Sequence, residues 1–198
     1  MKTSIKTLAK SLLAAIVLTS SIFASHANAD EKQPVKMSRP NHFTKVSVSG
    51  NVEITLIQNG REGVSYNDDN TGTVKVMQDG DALKITSEGN SLAKINVYVK
   101  DIYRVQASGD VVVKTEGKLD VKYLQIFLKE NAVATINSHT ESLYTVIEGH
   151  SDLKLSGATQ SHNLVMGKTQ KLNLDKFAAL KTEMSNPETT LQMASLAK

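Results

Sequence analysis

The chain has 198 residues, with 23 Lys+Arg against 20 Asp+Glu, and it contains neither cysteine nor tryptophan. Three of the lysines, Lys2, Lys6 and Lys10, sit in a leader without acids, so beyond residue 29 there are 20 basic and 20 acidic side chains. That balance removes the electrostatic case for a nucleic-acid or anionic-membrane partner, and the lack of cysteine excludes disulfides, thiolate nucleophiles, cysteine-held metals and a lipid-modified cysteine.

The basic start is followed by an apolar run, Leu12 to Leu18, and by Ala27-Asn28-Ala29, a small-x-small cleavage signal. This order predicts a signal peptide over 1–29, its apolar run too short to span a bilayer. No later segment reaches spanning length. Residues 30–42, "DEKQPVKMSRPN" and His42, are charged, proline-bearing and without apolar period, which predicts a flexible linker. A single exported β domain is expected over 43–198.

Its first part, 43–100, reads as strand after strand. "FTKVSVSG", "VEITLIQ", "TVKVMQDG", "ALKITSEG" and "AKINVYVK" alternate apolar with polar residues, and Asn59-Gly60 and Asp79-Gly80 have the chemistry of hairpin turns. A hairpin-rich region follows from these turns. No amphipathic helix is predicted after the leader.

From about Tyr103 the pattern becomes a repeat. Shifted by nineteen, Ala134, Leu153, Leu172 and Leu191 share one column, Ile136, Leu155, Leu174 and Met193 a second, and Phe127, Val146, Val165 and Met184 a third. All twelve are apolar in a chain that is 40% hydrophobic. The fold class predicted is therefore all-β, with the hairpin-rich part leading into a β-helix-like solenoid over 101–198 whose coils have about nineteen residues. Inward leucines of stacked coils would each contribute roughly 1.5–3 kcal/mol. Val111 and Val113, twenty-three residues before Ala134 and Ile136, place a longer turn, "TEGKLDVKY", in the preceding coil. Tyr103, Tyr123 and Tyr144 recur at twenty and twenty-one and form either a stacked ladder or scattered strand tyrosines. The last L-x-M leaves a strand edge without a cap, which predicts a homo-oligomer formed through the C-terminal solenoid edge.

The runs "FTKVSVSGNVEITLIQNG", "DALKITSEG", "IYRVQASGDVVV" and "IEGHSDLKLSG" resemble the exported Bacteroidetes domain family called putative auto-transporter adhesin, head GIN domain, over about 43–198. The resemblance implies an all-β, β-helix-like fold and an envelope or extracellular setting. It brings no catalytic residues. The last coils, "VMGKTQKLNLDKF" and "MSNPETTLQMA", depart from the pattern by lacking the Ser-Gly step.

No nucleophile elbow, H-E-x-x-H, Walker A or G-x-G-x-x-G motif occurs. His139, His150 and His162 are the remaining metal or acid/base candidates, but spacings of eleven and twelve miss the nineteen-residue period and favour exposed turn histidines, although His150 and His162 could approach across a turn. Asp68, Asp69 and Asn70 in "NDDNTG" lack the alternate ligand spacing and closing glutamate of a calcium loop, and a turn is favoured. Glu130 and Glu148 fall one residue short of a coil apart, with Asp152 nearby, and are the carboxylates a glycosidase reading would need. A solvated acidic face is the simpler account. The expectation is a non-enzymatic module without catalytic residues, metal or cofactor, located in the periplasm, on the outer surface or outside the cell. It would act as an adhesin-like binding or scaffold domain with a glycan or protein ligand. The alternative is a β-helix protein that binds or degrades polysaccharide.

Overall fold

The computed structural model describes residues 41–186, so the leader, most of the linker, and Leu191 and Met193 lie outside the described residues. Within them every regular element is a strand: β1 (Lys45–Ser49), β2 (Val52–Gln58), β3 (Gly63–Tyr66), β4 (Val74–Asp79), β5 (Ala82–Ser87), β6 (Ala93–Val99), β7 (Arg104–Gly109), β8 (Val112–Glu116), β9 (Leu119–Asp120), β10 (Tyr123–Glu130), β11 (Val133–Ile147), β12 (Asp152–Met166) and β13 (Lys171–Ser185). They form one 13-stranded sheet, curled and open. Among the described residues no helix is long and apolar enough to cross a membrane.

Alternation decides which face each strand turns to the core. In "AKINVYV" the alanine, isoleucine and two valines, Ala93, Ile95, Val97 and Val99, are buried, and Lys94, Asn96 and Tyr98 stand on the other face. In β10 the buried set is Leu124, Ile126 and Leu128. Two parallel ladders run along the curl. One joins β5, β1, β7, β10 and the second halves of β11, β12 and β13. The other joins β6, β2, β8 and the first halves of the same three long strands.

Each long strand therefore belongs to both ladders, and the burial parity records the change. Along β11 the buried positions are Ala134, Ile136, Ser138 and Thr140, then Leu143, Thr145 and Ile147, with Val146 also covered although it lies out of this alternation. The even series becomes odd at Glu141, which has no partner in the β11–β12 register. The strand bends there, and the bend is repeated at Gln160 in β12 and Leu180 in β13, both also missing from the register.

The register matches much of the sequence repeat. Ala134 pairs with Leu153 and Leu153 with Leu172, Ile136 pairs with Leu155, and Phe127 pairs with Val146 and Val146 with Val165. The columns slip in the last step, because a β-bulge between Lys154 and Ser156 moves the pairing so that Met184 lies opposite Leu164 and not Val165. The Phe127 column also faces outward: Phe127 lies between the buried Ile126 and Leu128, and its ring packs against Tyr144 at 5.8 Å and under the Arg104 guanidinium at 5.1 Å. Val113 pairs with Ala134, so the earlier offset is twenty-one and not twenty-three. Tyr144 lies opposite Gln125, and Tyr123 opposite Ser142, so the three tyrosines do not stack in one row.

The N-terminal part holds fewer hairpins than its turns suggested. Asp79-Gly80 closes the β4–β5 hairpin, with Gly80 at φ 59°. Asn59-Gly60 does not close one, since β2 pairs with β6 and β8, and β3 pairs antiparallel with β6. An Asn-Gly turn reverses the chain whether or not the next strand becomes the neighbour, and here burial of Val52, Ile54 and Leu56 draws β2 into the parallel ladder.

Candidate binding groove

Where β11, β12 and β13 bend, their outer surface is concave and forms a groove of about 520 Å³. Two rows of ladder partners and the row of bend residues beside them build it. Asp120, His139, Ala158 and Ala178 form one wall, Thr140, Thr159 and Ala179 continue the floor from Val121, and Lys122, Glu141, Gln160 and Leu180 line the other side. The floor is held by Thr140 Oγ1 donating to Thr159 Oγ1 at 2.8 Å, while Thr159 accepts that bond and donates to the Ser161 carbonyl at 3.1 Å.

Charges of both signs meet at one end. His139 Nδ1 is 3.3 Å from Asp120 Oδ1, and Lys122 Nζ is 3.6 Å from Glu141 Oε2. Glu141 is the main reason that the Lys122 ammonium is held above its ordinary pKa. Tyr123, the next residue along, is 55% exposed, and the Lys122 ammonium lies 5.4 Å from its ring centre. The other end carries amide and apolar groups, Gln160, Ala178 and Leu180. Such a surface offers hydrogen-bond donors and acceptors, with an aromatic face beside it. Both carboxylates are exposed, and each lies beside a nitrogen-bearing side chain.

The residues expected to carry chemistry are dispersed. His139 is the one that enters the groove; His150 is exposed in the turn after β11, and His162 is not an exposed turn histidine at all. His162 points into the core, where Nε2 lies 2.8 Å from Thr145 Oγ1, its ring meets Phe177 edge-on at 5.5 Å, and Nδ1 has no hydrogen-bond partner among the described residues. Burial lowers its pKa from the ordinary 6.5. A depressed histidine pKa means that the unfolded chain binds the proton first as pH falls, so stability is complete above about pH 6.5 and declines below it. In urea titrations between pH 7 and 5, wild type should lose stability more steeply than His162→Leu. Parallel curves would remove the histidine as the cause.

Glu130 proves to be a corner residue. Its φ of 61° places it in a column with Gly109, opposite it, and with Gly50 and Gly149, all at positive φ. Its carbonyl accepts the His150 N–H at 2.6 Å. Glu148 pairs with Lys129 at 3.2 Å, and Asp152 lies on β12 opposite Val133 and Lys171. In "NDDNTG" the Asn70 side chain accepts from the Lys94 N–H at 2.8 Å and donates to the Gly72 carbonyl at 2.8 Å, and Asp69 pairs with Lys94, which is turn chemistry. Among the described residues no three His, Asp or Glu converge as a metal site.

Residues 42–186 match the family model described as putative auto-transporter adhesin, head GIN domain. The chain belongs to this family. A putative adhesin from Parabacteroides merdae has a similar solved structure, at TM-score 0.53 and 13% identity over 75% of each chain. A putative adhesin from Parabacteroides distasonis is similar at TM-score 0.50 and 11% identity over 75% of each chain. A protein of that species named a putative lipid binding protein reaches TM-score 0.50 and 13% identity over 74% of this chain and 75% of its own. At these identities the likenesses establish fold. No curated protein matches the chain.

Within this head GIN chain the groove is marked in the sequence by its polar residues. Lys122 and Glu141, and Lys129 and Glu148, are opposite-charge pairs, Asp120 and His139 a carboxylate–imidazole pair, and Thr140 and Thr159 a hydroxyl pair, each nineteen residues apart. Reading the polar residues at the period of the apolar ones would have placed Asp120, Lys122, Glu141 and Gln160 side by side.

Proposed function

We propose that this protein is an exported, non-catalytic adhesin-like module of the cell envelope that holds a glycan chain in the groove between Asp120 and Leu180. The solenoid reading belongs with it: coils of about nineteen residues would repeat the bend from strand to strand and extend the groove across the stack. The single observation that carries the proposal is the groove itself, lined by paired charges, an amide and small apolar groups beside the exposed ring of Tyr123. Uncharged sugars are bound by such surfaces through hydroxyl hydrogen bonds and ring stacking. An acyl chain, as the name of one structural relative would suggest, fits poorly against walls that carry Asp120, Lys122, His139 and Glu141.

The test is to pass envelope and host polysaccharides over the immobilised protein, measuring both retention and release of shortened products. Retention without cleavage is expected, and Tyr123→Ala should weaken it about tenfold, corresponding to about 1.4 kcal/mol. Release of fragments would replace binding with hydrolysis, and retention unaffected by Tyr123→Ala and Gln160→Ala together would move the ligand away from the groove.

A further inference from the structure

We infer that β13 pairs antiparallel with β13 of a second copy across a twofold axis at Ala178, joining the two grooves end to end. The other ends of the ladders are closed by short antiparallel strands, β3 with four residues and β4 with six, whereas β13 runs for 15 residues and, among the described residues, pairs only with β12. A long free edge presents a row of unpaired backbone groups that another strand can take up. Its apolar side chains are also incompletely covered: Met184 is 69% exposed and Leu180 87%.

The sequence of β13 is what selects a second copy. The ladder with β12 and the bulge put Leu172, Leu174, Phe177, Ala179, Thr182 and Met184 on its inner side. Pair the strand with itself so that Ala178 meets Ala178, and Leu172 lies opposite Met184, Leu174 opposite Thr182, and Phe177 opposite Ala179. Every inner residue then meets an inner residue. Moving the axis one residue either way breaks this, setting Leu174 against the outward Leu180 in one case and Phe177 against the outward Lys181 in the other. On the outer side the same register sets Asp175 opposite Lys181, Asn173 opposite Glu183 and Lys176 opposite Leu180, whose apolar surface the lysine stem can cover. No like charges face each other. Lys181 already pairs with Glu183 of its own strand at 2.6 Å, so it would stand between two carboxylates.

Twofold symmetry makes the contact self-limiting, because the patch is its own complement and closes with two chains. The bend favours it as well. An axis at Ala178 lies between the bulge that precedes Lys176 and the bend at Leu180, so rotation sets the bend of one copy beside the bulge of the other and keeps their inner faces aligned. Ala178, Ala179 and Leu180 end the groove at this edge, and the second copy would continue it. This inference is independent of what the groove binds.

Light scattering on the full protein over a concentration series should show a dimer. Lys181→Asp, which sets two aspartates face to face, should raise the dissociation constant at least tenfold, and adding Asp175→Lys should restore it. Both sites are exposed, so circular dichroism of each variant should match wild type. Since the chain has no cysteine, Ala178→Cys should give one disulfide-linked dimer on oxidation, because antiparallel partners on an axis lie within disulfide reach. A strict monomer at every concentration, or a dimer indifferent to both charge changes that the Ala178→Cys substitution does not crosslink, would overturn the inference. So would a monomer that dimerises only after residues 187–198 are removed, since that segment would then be what occupies the edge.

Discussion

Leu153→Asp should abolish cooperative unfolding. Leu153 is fully buried, flanked by Ala134 on one side and Leu172 on the other in the parallel ladder. Removing the leucine forfeits roughly 1.5–3 kcal/mol of apolar burial, and the carboxylate that replaces it would lie between the apolar Ala134 and Leu172, which adds several kcal/mol more. Against a total stability of about 5–15 kcal/mol for a domain, that is enough to remove the folded state. Thr169→Asp is the matched control. Thr169 is exposed in the turn before β13 and makes one hydrogen bond, from Oγ1 to the Gly149 carbonyl at 3.2 Å, so its loss should shift the melting temperature by no more than about 3 °C. Thermal melts followed by circular dichroism check both, and a Leu153→Asp variant that melts like wild type would place this column outside the core.

The columns containing Leu153 were legible because one physical quantity, burial, recurs at one interval. Where the apolar pattern went astray, a second quantity had intervened. Phe127, Val146 and Val165 repeat at nineteen and do pair, yet they face out, because the neighbours of each along its strand, Ile126 and Leu128, Thr145 and Ile147, and Leu164 and Met166, take the inner side. A strand apolar on both faces gives no alternation from which to choose. The bulge that carries Met184 away from Val165 depends on how "LNLDKF" accommodates Asp175, whose N–H bonds Asn173 Oδ1 at 3.2 Å, a local side-chain effect beneath the resolution of periodicity. His162 was read as a turn residue because a histidine on a strand is ambiguous, and its burial follows from the parity change at Gln160, which only the bend explains.

The Ser-Gly rhythm offers the same lesson about corners. Ser49-Gly50 and Ser108-Gly109 occupy equivalent corner positions, since Ser49 pairs with Ser108 and the Gly50 N–H bonds the Ser108 carbonyl at 3.2 Å. Continued into the next strands, that corner is made by Glu130 and Gly149, neither of which follows a serine. Glu130 drew notice as a carboxylate, while what the position demands is a left-handed backbone. The third Ser-Gly step, Ser156-Gly157, lies elsewhere, inside β12 and next to the bulge. The groove stayed hidden for a related reason: it requires the bends of three strands to be stacked, and a bend leaves no apolar mark on the sequence.

Gly157→Val should be nearly as damaging as a charge in the core, and more informative about the groove. Gly157 has φ +99°, which a β-branched residue cannot adopt without strain, and a Cβ there would stand 2.0 Å from the Ser138 carbonyl oxygen. That oxygen belongs to the backbone of β11, so no rotamer change relieves the clash and the ladder between β11 and β12 must open. A loss of at least about 3 kcal/mol is expected, visible as a lower urea midpoint. Gly63→Ala provides the comparison: nothing lies within 4 Å of its Cβ position and its φ is not in the left-handed range, so the midpoint should stay within about 0.5 kcal/mol of wild type. Ala158, the residue after Gly157, lines the groove between His139 and Ala178. Opening the ladder there widens the wall, so in whatever fraction of Gly157→Val remains folded, glycan retention should fall further than the folded fraction does. Retention in proportion to folded protein would separate the ladder at Gly157 from the binding surface, and an unchanged urea midpoint would mean that β11 and β12 are not in contact at this register.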